Sequence, residues 1–187
     1  MGRAWFKGLG HDGDRTLAEQ ILALAPALAE CAGKRVLDLG CAEGLVSLEF
    51  AKAGAVRVLG IEREDDHFKV AQTLVFDGPC ALKFKQWNLN NVNPDRPLHD
   101  YDIVLALGII HKLTLPERGL RFAARSAKEL LLLRSGRGSV NGIIYGKISR
   151  NSCDTAAVMR EEGFKLEKTV DGPVGRDEPV GYWRRCG

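Results

Sequence analysis

The chain has 187 residues, 45% of them hydrophobic and 27% charged, and a formal charge of +3 at pH 7. That length suits a single domain over residues 1–187 and leaves little for a second core, while the composition excludes a disordered or fibrous chain. The mild positive charge implies no nucleic-acid partner by itself, and no apolar run approaches the roughly 20 residues that a bilayer-spanning helix needs.

In chain order, Met1 to Lys7 lacks the apolar core of a secretory signal, so a cytoplasmic location is expected. Residues 1–15 read as an N-terminal flap, with Trp5, Phe6 and His11 either covering the site or packing against the sheet edge. Thr16 and Glu19 have capping-box spacing, and Leu17, Ile21, Leu24 and Leu28 then recur at helical period, with a kink expected at Pro26. A strand at 35–39, a turn from Gly40 to Gly44 and a helix at 45–52 follow. Next come a strand at 56–61, a helix capped by Asp65 or Asp66 and running to Phe76, and a strand at 81–87.

Residues 101–107 are almost wholly apolar after Asp102, as in a central strand buried on both faces. The predicted helix 116–129 places Leu120, Ala123, Ala124 and Ala127 on one side and Arg118, Arg121, Arg125 and Lys128 on the other. A strand at 130–133 is expected, and 136–149 reads equally as a strand or a ligand-covering loop. Asn151, Ser152 or Asp154 caps a helix to Glu162, and the strands 164–170 and 179–185 are expected to pair antiparallel. Strands alternating with helices argue for an α/β chain, a doubly wound parallel sheet with helices on both faces and ligands at the strands' carboxyl ends.

The five cysteines, Cys31, Cys41, Cys80, Cys153 and Cys186, form no C-x-x-C pair and read as reduced thiols. His11, His67, His99 and His111 lack ligand spacing, so no metal is expected.

The run Val36-Leu37-Asp38-Leu39-Gly40-Cys41-Ala42-Glu43-Gly44 resembles the first motif of class I S-adenosylmethionine (SAM) dependent methyltransferases. The resemblance extends over about residues 34–112 and implies a seven-stranded sheet with its last strand antiparallel, and SAM as cofactor. It implies that Gly40, Cys41, Ala42 and Gly44 approach the methionine part of SAM, with Asp38 near its amino group. Ala42 stands where glycine is common, which is expected to require negative φ there, and Glu43 is expected to face solvent or the flap.

Glu62, at the end of the second strand, stands where the resembled family grips both ribose hydroxyls, and a carboxylate has the acceptors a vicinal diol needs. After the third strand, Asn88 matches the residue that reads the adenine amino group, with Leu89 packing on the ring and Asn90 in reserve. Leu107-Gly108-Ile109-Ile110-His111 resembles the fourth motif, which implies that Leu107 contacts SAM and that His111 lies near the transferred methyl, as general base or as a loop residue. The nicotinamide-binding alternative wants G-x-G-x-x-G, which Gly40-x-x-x-Gly44 does not supply. The expected activity is methyl transfer to a nucleophilic oxygen or nitrogen of a small molecule. The alternatives are an RNA substrate, through Arg118, Arg121, Arg125 and Lys128, and a non-catalytic SAM-binding subunit.

Overall fold

The computed structural model describes residues 8–11, 16–134, 147–148, 153–172 and 179–187. Two short helices, α1 (Leu17–Leu22) and α2 (Ala25–Glu30), precede β1 (Arg35–Leu39), α3 (Leu45–Lys52), β2 (Arg57–Glu62), α4 (Asp65–Gln72) and β3 (Ala81–Gln86). Then follow β4 (Tyr101–Leu107), α5 (Pro116–Ser126), β5 (Ala127–Arg134), the short antiparallel pair β6 (Lys147–Ile148) and β7 (Cys153–Asp154), α6 (Thr155–Glu161), β8 (Phe164–Val170) and β9 (Val180–Arg185).

The main sheet has seven strands in the order β3-β2-β1-β4-β5-β9-β8. The five strands from β3 to β5 pair in parallel, and β9 lies antiparallel between β5 and β8. Strand order reverses between β1 and β4, and the crevice at their carboxyl ends is where a ligand finds space between diverging connections.

Side chains alternate across the sheet, so each central strand feeds two cores. Leu37, Leu39, Val104, Ala106, Leu131 and Leu133 meet Leu120, Ala123 and Ala124 of α5 and Met159 of α6 on one face. Val36, Ile103, Leu105, Leu130 and Leu132 meet Leu24 at the junction of α1 and α2, Ala27 of α2 and Phe50 of α3 on the other. Tyr182 of β9 seals the second core, its hydroxyl donating to the Ala23 carbonyl oxygen at 2.8 Å.

Several element boundaries differ from expectation for physical reasons. Pro26 does not kink one helix; it sits in the first turn of a separate α2, where its missing N–H is an orphan in any case. Neither Asp65 nor Asp66 caps α4, since both lie inside its first turn behind Glu64 as the N-cap residue, and the helix ends at Gln72. Helix α5 stops at Ser126 because Ala127 already adopts extended dihedrals and pairs with Tyr101, so β5 begins without a loop. Asp154 is the N-cap of α6, accepting from the Ala157 N–H at 3.0 Å. Trp5, Phe6 and most of 136–149 lie outside the described residues.

Candidate cofactor site

A cavity of about 390 Å³ opens at the carboxyl ends of β1, β2 and β4, at the switch in strand order. Its lining includes Asp38, Gly40, Cys41, Ala42, Glu62, Asn88, Leu89 and Leu107, which the structure thus brings together from four separate connections.

The turn after β1 forms the floor. The N–H groups of Gly40 and Cys41 both donate to the Ile61 carbonyl oxygen, at 2.8 and 3.0 Å, which curls the chain towards β2. Gly40 has φ of +74°, and a Cβ there would lie 2.9 Å from the Ile109 side chain. Glycine therefore permits both the turn and the close packing of the loop after β4. Ala42 has φ of +49°, in the left-handed region, so the expectation of negative φ is corrected. The Ala42 N–H donates at 2.9 Å to the Glu62 carboxylate, a contact that fixes the turn in this geometry. Gly44 is not among the residues lining the cavity; its positive φ of +77° lets it nest against the Phe84 ring at the start of α3.

Asp38 is 3% exposed and accepts a hydrogen bond from Ser47 Oγ at 2.7 Å. Burial pushes its carboxyl up to about 6, against the Ser47 hydrogen bond and with help from the negative charge of Glu62. Glu62 is held by three backbone donors: Ala42 N–H on one oxygen, and Arg63 and Glu64 N–H on the other at 2.7 and 2.9 Å. Those bonds orient the carboxylate at the cavity wall and leave further lone pairs for a ligand. Asn88 caps the short 3-10 turn Leu89–Asn91 by accepting from the Asn90 N–H at 2.9 Å, and Asn90 in turn accepts from the Thr114 N–H at 2.8 Å. The loop after β3 is thereby tied to the loop after β4.

His111 lies in the 3-10 turn Ile110–Lys112, half-buried, and the cavity lining includes its neighbours Ile109, Lys112 and Leu113 but not His111. Burial, with Lys112 adding to it, lowers its imidazolium to about 4, so the ring is neutral at physiological pH and weakly basic.

Other lining residues escape sequence reasoning. Arg134, at the carboxyl end of β5 and 3% exposed, donates to the Gln20 side-chain oxygen and to the Gln20 carbonyl oxygen at 3.1 Å. This fastens α1 across the cavity. A cation closing the run Leu130 to Leu133 at a strand's carboxyl end is the one sequence signal that points to it. Trp87 lines the cavity and stands edge-on to Phe122, ring centres 5.7 Å apart.

Glu43 does not face solvent. It is 1% exposed, and it accepts hydrogen bonds from the Leu9 and Gly10 N–H groups and from His11 Nδ1. Its burial raises the carboxyl, but the bonds from His11 and from the Gly10 and Leu9 N–H groups outweigh this and hold it below the usual range. Part of the expected flap, Gly8 to His11, is thus clasped to the turn after β1.

Half of the basic face weighed as an RNA contact is neutralised by ion pairs. Arg121 pairs with Glu117, Glu161 and Glu162, and Arg125 pairs with Asp95 at 2.6 Å and Glu162 at 2.9 Å. These arginines join α5 to α6 instead of standing free for phosphates; Arg118 and Lys128 remain exposed.

A methyltransferase-domain family model matches residues 36–130, half of the chain. The chain belongs to the class I SAM-dependent methyltransferase superfamily. Among curated relatives, the ubiquinone biosynthesis O-methyltransferase of Nitrosospira multiformis is 31% identical over 100 residues, 54% of this chain and 41% of that protein. The bifunctional O-antigen chain terminator methyltransferase/kinase of Escherichia coli is 30% identical over 79 residues, 42% of this chain and 11% of that protein. The chain thus spans less than half the length of these relatives. Among solved structures, a SAM-dependent methyltransferase from Mesorhizobium loti aligns with a TM-score of 0.68 at 14% identity, over 89% of this chain and 100% of that one. The magnesium protoporphyrin IX methyltransferase of Synechocystis with bound SAM aligns with a TM-score of 0.64 at 19% identity, over 90% and 77%.

Proposed function

We propose that the cavity binds SAM and that the chain transfers its methyl group to a nucleophilic oxygen of a small-molecule acceptor. The observation that carries this reading is the convergence of Asp38, the turn Gly40 to Ala42, Glu62, Asn88, Leu89 and Leu107 on one cavity. Asp38 meets the methionine ammonium, the turn after β1 takes the methionine backbone, Glu62 accepts from the ribose hydroxyls, and Asn88 with Leu89 receives adenine. The sulfonium is already a good leaving group, so transfer is an in-line displacement in which the protein mainly positions the two reactants. The neutral, weakly basic His111, set off the cavity wall, suits a positioning or loop role better than proton abstraction.

Oxygen is favoured over nitrogen by the curated O-methyltransferases to which the matched half is similar. Phosphate recognition by α5 is disfavoured by the ion pairs of Arg121 and Arg125. A cytoplasmic location is retained as part of this proposal; no helix of the described residues is long and apolar enough to cross a membrane.

The test is incubation with methyl-labelled SAM and a panel of phenols, alcohols, carboxylic acids and amines, with total RNA as a separate arm. Label in a hydroxyl acceptor, matched by S-adenosylhomocysteine, is expected. Label confined to RNA, falling steeply with salt as phosphate contacts require, would overturn the acceptor class.

A further inference from the structure

The segment before α1, the turn after β1 and helix α4 bring three metal-competent side chains together: one donor atom each of His11, Glu43 and His67 lies within 4.8 Å of the others. We propose that these residues bind a single divalent transition-metal ion of the zinc class, which fastens the segment Gly8 to His11 to the rim of the cavity. The proposal is independent of what the cavity holds.

Two imidazoles and one carboxylate are a donor set suited to a borderline ion such as Zn²⁺, whereas Mg²⁺ and Ca²⁺ prefer oxygen alone. Donors about 2.1 Å from a tetrahedral ion stand about 3.4 Å apart, within reach of small side-chain rotations from the observed cluster. Its second layer is already built. Glu43, almost wholly buried, is oriented by the Leu9 and Gly10 N–H groups, as ligating carboxylates are by outer hydrogen bonds. A Cβ on Gly8 would lie 2.1 Å from Glu43 Oε2, so glycine is what lets the backbone come this close. The His11 and His67 rings lie 4.2 Å apart, centre to centre, tilted by 43°.

His67 provides a separate observation. Its Nδ1 is buried and has no hydrogen-bond partner among the described residues, an arrangement that costs free energy unless something occupies the position. A hydrogen-bonded clasp between His11 and Glu43 alone leaves that nitrogen unexplained, whereas an ion ligated through it would give it a partner. His67 also lines the cavity, so an ion bound here would stand beside its wall.

The experiment uses the full chain, stripped with chelator and titrated with Zn²⁺ by calorimetry, and separately with Co²⁺ by visible absorption. One equivalent of Zn²⁺ is expected, with intense Co²⁺ d–d bands, weakened at least tenfold in His11→Gln and in His67→Gln but unchanged in His99→Gln. Zinc should raise the thermal midpoint of the parent chain and not that of His67→Gln, whose circular dichroism reports whether it has folded. No stoichiometric zinc binding, or binding that both glutamine variants leave intact, would overturn the site.

Discussion

In the proposed site, Asp38 weakens the ligand-free fold in order to meet a cationic ligand group. Its folded value of about 6 lies above its ordinary value near 3.8, so the folded chain holds this proton more tightly than the unfolded chain. The stability it contributes is therefore complete below about pH 4 and is lost as pH rises through about 6. At neutral pH the ionised carboxylate costs the ligand-free protein about 1–3 kcal/mol, a cost that a cationic ligand group would offset. Asp38→Asn should accordingly resist urea better at pH 7 without ligand, while binding SAM about 10–100-fold more weakly. A variant that is less stable and binds SAM normally would make Asp38 a framework acid. For His111 the sign is opposite. Its value is lowered to about 4, so the neutral ring's contribution to stability is present above about 6.5 and lost as pH falls through 4. His111→Ala should then reduce turnover by less than about tenfold, below the usual effect of a general base, and leave no altered limb near neutrality in the pH profile. A larger loss, with the limb abolished, would restore it as the base.

At the scale of elements, the turn between β1 and α3 couples packing to the site. Gly44 has φ of +77° and its Cβ position lies 2.5 Å from the Phe84 ring, so Gly44→Ala incurs both backbone strain and overpacking. A loss of about 2–4 kcal/mol is expected in denaturant unfolding, together with weaker SAM binding as the turn shifts. Unchanged stability would show that the turn and Phe84 readjust freely. Regular elements were legible because period carries them: β1 and β4 begin and end where their apolar runs do, and α3 spans the predicted 45–52. Boundaries set by tertiary pairing were not. Helical period continues through Lys128 and Glu129, and only the register of Ala127 with Tyr101 ends α5 earlier. The ion pairs joining α5 to α6 were equally hidden, because Glu161 and Glu162 lie far along the chain from Arg121 and Arg125. Glu162→Ala, which removes the acid both arginines share, should therefore lower the thermal midpoint measurably, and an unchanged midpoint would mean that the network is only a surface arrangement.

For the molecule as a whole, strand order makes the site. The reversal between β1 and β4 gathers Asp38, Glu62, Asn88 and Leu107 from distant stretches, and their spacing to neighbouring glycines and strand ends announced each of them in the sequence. Gln20, and the cluster of His11, Glu43 and His67, carry no such local signature; their contacts exist only once the sheet has folded. The central claim is that this crevice holds SAM, and calorimetric titration of SAM into the parent chain and Glu62→Ala tests it most directly. One site in the micromolar range is expected, about 1–3 kcal/mol weaker in the variant because the ribose hydroxyls lose their acceptor, with no binding of NAD to either protein. Absence of SAM binding, or equal affinity in the two proteins, would contradict the central claim.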